Sequence, residues 1–146
     1  MGVPEMVEAL GLVPLPVEGG LFAQSWRDDT ASAIYYLLSA PEFAAVHRLD
    51  RLEIYAFHAG DPVRLLLLWP DGAVSEPVLG PDPAAGHLPQ VVVPGGTWQA
   101  AETLGAWSLV GTVVVPPYTD DCVEFGTAEL AAAYPTHAGR IRSLCR

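Results

Sequence analysis

The feature that most constrains this chain is a series of short apolar runs, each ended by proline or glycine. Residues 33–38, 63–69 and 106–115 are runs of this kind, and Pro70-Asp71-Gly72 is a strong turn signal between two of them. The runs recur at roughly 8 to 12 residues without helical patterns between them, which is typical of antiparallel sandwiches and barrels. The sequence therefore predicts an all-β fold.

Helical signals occur only near the two ends. Pro4 and Glu5 in a first turn, followed by Gly11, predict a short N-terminal helix. Residues 127–134 predict a capped C-terminal helix, whereas residues 136–146 show no pattern and are expected to form a tail that holds Cys145. A length of 146 residues fits one domain, here 1–146 with a core of about 10–135.

Composition excludes several classes of function. Hydrophobic residues make up 51% of the chain and charged residues 16%, which argues against disorder. The net charge is -10 and the sequence has no lysine, so nucleic acid and anionic membranes are poor partners, and Schiff-base chemistry is excluded. No apolar run approaches the ~20 residues that span a bilayer, and the basic start of a secretory signal is missing. The expected location is the cytoplasm.

The stretch 41–60 contains the most informative polar residues. Strand alternation with a turn near Asp50-Arg51 predicts that His47 and Glu53 meet on one wall of an apolar surface. A histidine beside a carboxylate in such a setting is a proton-transfer pair, half of a metal site, or a polar pair of the core. The residues alone leave these three interpretations open.

The same stretch resembles the first cupin motif, G-x5-H-x-H-x3-E-x6-G. His47, Glu53 and Gly60 match it, whereas Pro41 and Leu49 stand at the first glycine and the second histidine. Residues 86–103 resemble the second motif, with Gln99 where the family has its last metal-ligand histidine and Thr103 where it has asparagine.

The resemblance extends over roughly residues 10–135 and narrows to the RmlC-like cupin branch of DUF985 type. It rests on segments that include Glu18-Gly19-Gly20, Glu42-Phe43, Asp61-Pro62 and Tyr134-Pro135. It implies a single-domain cupin jelly-roll β-barrel with short N- and C-terminal helices, and a homodimer. The branch usually has Tyr-Phe-Arg-Glu where this chain has residues 21–24, a change that implies a less polar or differently charged ligand.

The leading functional hypothesis is a small-molecule enzyme with metal-independent acid/base chemistry in the barrel cavity, such as an epimerase, isomerase, cyclase or dehydratase. His47 would be the general base, and Glu53 its partner or a second acid. No cofactor is expected. The alternatives are a small-molecule-binding cupin without catalysis, or a metal-binding cupin that uses His47, Glu53 and Gln99 for a divalent ion.

Further residues are predicted to contact a ligand through stacking or hydrogen bonds. These are Phe22, Gln24, Trp26, Tyr36, Tyr55, Trp98, Gln99, Trp107 and Tyr118. Strand 65–69 is apolar on both faces, which also suggests that sheets pair between two copies of the chain.

Overall fold

The computed structural model describes residues 1–146, which form twelve strands, two α-helices and four short 3-10 helices. The strands are β1 (Val13–Pro14), β2 (Leu21–Arg27), β3 (Ser32–Ser39), β4 (Phe43–Leu49), β5 (Leu52–Gly60), β6 (Val63–Leu68), β7 (Val74–Ser75), β8 (Val78–Leu79), β9 (Gln90–Val93), β10 (Trp98–Thr103), β11 (Trp107–Val115) and β12 (Val123–Phe125). The α-helices are α1 (Val3–Leu10) and α2 (Ala138–Ser143), and the 3-10 helices are Pro83–Ala85, Asp120–Cys122, Ala128–Ala133 and Pro135–His137.

The strands form two antiparallel sheets. The first sheet has the order β1-β2-β3-β11-β5-β9, and the second has the order β12-β4-β10-β6-β7, with β8 also paired to β6. Neighbours in the sheets are mostly distant in sequence, which is the jelly-roll arrangement in which strands alternate between two sheets. The predicted all-β cupin fold is confirmed.

The main core lies between the two sheets. On β6, Leu65 and Leu67 point into it, and Tyr36 and Val110 meet them from the first sheet. Leu66 and Leu68 point outward but are equally buried, because the C-terminal segment covers them. Because successive side chains of a strand point to opposite faces of the sheet, the apolar residues of β6 contribute to a core on each face.

The C-terminal segment corrects two predictions. The helix predicted over 127–134 is a 3-10 helix at Ala128–Ala133, and the α-helix follows in the segment expected to be a tail. Ile141 and Leu144 are buried against the outer face of the second sheet, so the chain end is part of a core. The apolar outer face of β6 is thus covered within one chain and requires no second copy; the homodimer stays a prediction.

The N-terminal helix is found where it was predicted. Gly11 ends α1 in the left-handed region at φ 66°, and Val7 and Leu10 pack on the outer face of the first sheet against Leu37 and Leu109. Neither α-helix, at 8 and 6 residues, has the length and apolar character needed to cross a membrane.

The connection between β4 and β5 differs from the predicted hairpin. β4 belongs to the second sheet and β5 to the first, so the chain crosses between sheets at Asp50-Arg51. His47 and Glu53 therefore lie on opposing walls rather than on one wall. The side chains of His47 and Glu53 still point into the same cavity, because each lies on the inner face of its own strand.

Candidate functional site

A cavity of about 450 Å³ opens between the sheets at one end of the barrel. Its lining is mainly apolar, with a few polar groups that converge on the interior, as is usual for small-molecule sites. The lining residues are Leu15, Pro16, Val17, Glu18, Phe22, Gln24, Ser32, Ile34, His47, Leu49, Glu53, Thr112, Val114, Tyr118, Asp120, Val123 and Phe125.

A buried hydrogen-bonded chain joins the two sheets beneath the cavity. The hydroxyl of Tyr55 donates to Oε1 of Gln99, and Nε2 of Gln99 donates to Oε1 of Glu53 at 3.0 Å. Gln99 lies directly opposite His47 on the neighbouring strand. Since both ends of the Gln99 amide are used, the orientation of the amide is fixed and the Glu53 carboxyl is held in place.

The Glu53 carboxyl has a strongly perturbed acidity. Burial raises its pKa from 4.5 to about 7, since removing the carboxylate from water disfavours the charged form. Other groups also act on the pKa of Glu53. The field of His47 lowers it and the field of Glu18 raises it further. The nearby Thr112 hydroxyl and Gln99 amide lower it. The result is a carboxyl group that exchanges its proton close to neutral pH.

His47 has one nitrogen committed to the fold and one directed at a carboxyl group. Nδ1 donates to the carbonyl oxygen of Ala45 at 2.7 Å. In the neutral ring, Nε2 is then the basic nitrogen, and it lies 3.5 Å from Oε1 of Glu18. Protonation of Nε2 creates an ion pair with Glu18, so the site contains both a base and a group that stabilises its charged form.

Glu18 is one of several cavity residues that the sequence predictions missed, together with Thr112, Asp120 and Phe125. It lies between Val17, which adopts φ 66°, and Gly19, at φ 96°. Positive φ is rare for a β-branched residue, so the loop is strained at Val17. The Glu18 carbonyl accepts a hydrogen bond from Ala45 N at 2.7 Å, which docks the loop on β4 beside His47. The acid and the glycine pair were visible in the sequence as part of the family resemblance, but no chemical role had been assigned to them.

The other predicted ligand contacts, apart from the tryptophans, divide into two groups. Phe22, Gln24 and Tyr118 line the cavity. Tyr36 and Tyr55 are buried in the core with their hydroxyls bonded to Gly19 O and Gln99, so they support the cavity from behind.

The three predicted tryptophans lie away from the cavity. A bulge between Gln24 and Trp26 interrupts the alternation of β2, so Trp26 points outward and is 60% exposed. Trp98 follows the strand period and faces away from its neighbour Gln99, packing against the C-terminal segment under Arg48, which is 4.5 Å from the ring centroid. Trp107 packs in the cluster beneath α1.

Tyr118 is fixed at the cavity by hydrogen bonds to its backbone. Its carbonyl oxygen accepts from Nη1 of Arg27 at 2.7 Å, and its N–H donates to Oγ of Ser32 at 2.9 Å. Burial and the fields of acids, Glu18 first among them, raise the pKa of its phenol to about 12. The phenol therefore stays protonated and is available as a hydrogen-bond donor.

The donor set does not fit the metal site of typical cupins. Leu49 replaces one histidine, and the Gln99 oxygen accepts from Tyr55 instead of facing an ion. No three His, Cys, Asp or Glu side chains are arranged to hold a metal ion. Two potential ligands make a weak first shell for zinc or iron.

Comparison with known proteins identifies relatives of the whole chain. A family profile described as "Cupin superfamily (DUF985)" matches residues 4–126. A protein of Shewanella oneidensis is similar over 100% of this chain and 98% of its own, with 34% identity and a TM-score of 0.93. No curated protein matches.

More distant structures share the fold alone. A hypothetical protein from Leishmania major has 24% identity and a TM-score of 0.90, with 99% of both chains covered. Oxalate decarboxylase from Bacillus subtilis has 12% identity and a TM-score of 0.64, with 91% of this chain and 37% of that chain covered. The topology and the profile match agree, and the chain belongs to the DUF985 family of the cupin superfamily.

Proposed function

We propose that this protein is a small-molecule enzyme that performs metal-independent acid/base chemistry in the barrel cavity. The observation that carries the proposal is a buried Glu53 carboxyl, with a pKa of about 7, that faces the same cavity as the His47–Glu18 pair. Acid and base groups that titrate near the working pH are the most effective in proton transfer. Perturbed carboxyls in a cavity are candidates for this role.

The chemistry that suits this arrangement is proton transfer at a carbon next to a carbonyl group. His47 Nε2 takes the proton from carbon, and the electron pair of the broken C–H bond moves to the carbonyl oxygen to form an enolate. Protonated Glu53 donates a proton to that oxygen, the Tyr118 phenol donates a hydrogen bond to it, and Glu18 stabilises the imidazolium. Return of a proton to the opposite face of the same carbon gives epimerisation, and its return to a neighbouring carbon gives isomerisation. Departure of a β-hydroxyl group as water, with its proton supplied by the acid, gives dehydration.

The test uses deuterium so that the substrate need not be known in advance. A library of small carbonyl compounds is incubated with the protein in D2O, and loss of α-proton signals is followed by NMR. We expect exchange of at least one compound class above the buffer rate. His47→Ala and Glu53→Gln should remain folded and lose that exchange, whereas Glu8→Gln, on the exposed surface of α1, should retain it. Unchanged exchange in both site variants would refute the proposal.

A second function, ligand binding without catalysis, is favoured by the apolar majority of the cavity lining. It predicts a bound molecule that shifts NMR signals of cavity residues and is recovered unchanged, with no deuterium incorporated. A metal-dependent function requires an ion that elemental analysis of chelator-free protein would detect. We expect less than about a tenth of an equivalent of any transition metal per chain, given the poor donor set.

A further inference from the structure

The cavity combines several acidic groups with no permanent cation. Glu18, Glu53 and Asp120 line it, and His47 is the only basic side chain among the lining residues. All three acids line the same cavity, with Oε1 of Glu18 3.5 Å from Nε2 of His47. Glu53 is buried, whereas Asp120 is exposed to solvent.

Two arginines bond to the backbone of the segment that carries Tyr118. Arg27 donates to the carbonyl oxygen of Tyr118, and Nη1 of Arg51 donates to that of Pro117 at 2.7 Å. Neither side chain lines the cavity. No guanidinium group lines the cavity, so a cationic ligand can pair with the acids there.

Two further features point to a ligand with a polar head and an apolar body. Thr112 is 3% exposed and lines the cavity, and its hydroxyl has no hydrogen-bond partner in the protein, although it lies close enough to Glu53 to affect its pKa. A buried hydroxyl of this kind normally has a partner, which a ligand would supply. Phe22, Phe125 and Tyr118 line the same cavity, and aromatic rings are favourable neighbours for a cation.

We infer that the cavity takes a small organic molecule with an ammonium group on an apolar body, the ammonium lying among Glu18, Asp120 and the Tyr118 ring. The inference depends on the proposed function only in taking the cavity as the ligand site, and it specifies the charge of the ligand. A carboxylate or phosphate ligand would meet acids with no arginine or lysine to balance them. A dianion such as oxalate, which the decarboxylase of the same fold is named for, is therefore disfavoured here.

The experiment compares three probes of similar size and different charge. 2-Phenylethylammonium, 2-phenylethanol and phenylacetate are titrated into the ¹⁵N-labelled protein, and dissociation constants are taken from shifts of cavity amide signals. We expect the ammonium probe to bind at least about tenfold more tightly than phenylacetate, with the alcohol between them. Glu18→Gln should weaken the ammonium probe about tenfold and leave the alcohol unchanged, since only the charged head loses its partner.

Matched variants separate a local charge effect from a general one. Glu8→Gln removes the same charge from the exposed face of α1 and should leave all three constants unchanged. Asp120→Asn repeats the test if Glu18→Gln does not fold, with the same expected loss for the ammonium probe.

Three results would overturn the inference. They are phenylacetate binding as tightly as the ammonium probe, equal weakening of all three probes by Glu18→Gln, or no cavity shifts with the ammonium probe. These results are independent of the deuterium test, because a protein that binds ammonium compounds without exchanging protons would retain this inference and lose the proposed enzymatic function.

Discussion

Burial of Glu53 should make the stability of the protein depend on pH in a defined way. Its pKa is 4.5 for an ordinary glutamate and about 7 in the folded protein, so between these values the folded state binds more protons than the unfolded state. Stability due to this group is therefore complete below about pH 4.5 and is lost as the pH rises through 7. Each pKa unit corresponds to about 1.4 kcal/mol, which gives a total loss of about 3 kcal/mol.

Glu53→Gln isolates this contribution, because glutamine has the same shape, keeps an oxygen that can accept from Gln99, and does not titrate. As the pH rises from about 5 to about 8, the unfolding free energy of the variant should increase by about 2 to 3 kcal/mol relative to that of the wild type. Urea unfolding followed by tryptophan fluorescence at each pH measures the difference. Taking the difference between two proteins cancels the titration of the remaining groups.

The control is Glu8→Gln, whose carboxyl lies on the exposed surface of α1. Its difference from wild type should stay within about 0.5 kcal/mol at every pH, as for most surface substitutions. A constant difference between Glu53→Gln and wild type over the whole pH range would show that the Glu53 pKa is not raised in the folded protein. The electrostatic basis of the proposed function would then be lost.

Two further predictions concern the elements that support the site. Gly19→Ala should destabilise the protein by at least about 2 kcal/mol and move the Glu18 loop, because φ is 96° and the new Cβ would clash with the carbonyl oxygen of Phe43. The control is Gly72→Ala, where φ is 92° but no atom lies within 4 Å of the new Cβ. This substitution should cost only about 1 kcal/mol. Equal losses in thermal or urea unfolding would contradict this explanation. Ile141→Ala should cost about 2 to 5 kcal/mol, since the side chain is fully buried under the second sheet, and a change below about 0.5 kcal/mol would indicate that the chain end does not pack there.

The strand pattern and the terminal helix α1 could be predicted from local sequence because their causes are local. Proline or glycine follows most of the apolar runs, and Gly11 supplies the left-handed residue that ends α1. His47, Glu53 and Gln99 were identified by spacing and by the family resemblance, and all three are buried around one network. The sequence did not indicate that the Gln99 amide would be occupied on both sides.

Aromatic residues were the least predictable part of the site. Strict alternation places Trp26 with Phe22 and Gln24, but one extra residue in β2 reverses its direction. No local signal in the sequence marks that bulge. Glu18 was missed for a related reason, since it lies in a loop and reaches His47 only because that loop folds over β4.

The sequence by itself determined that the chain forms short antiparallel strands and that His47 and Glu53 face an apolar interior, because side-chain direction follows from strand period. Gln99 was placed beside them by the family resemblance. The tertiary structure alone decided that β4 and β5 lie in different sheets, that Glu18 approaches His47, and that the chain end covers β6. These outcomes depend on contacts between residues far apart in the chain. The acidity of Glu53 has the same origin, since the burial that raises its pKa exists only when both sheets close around it.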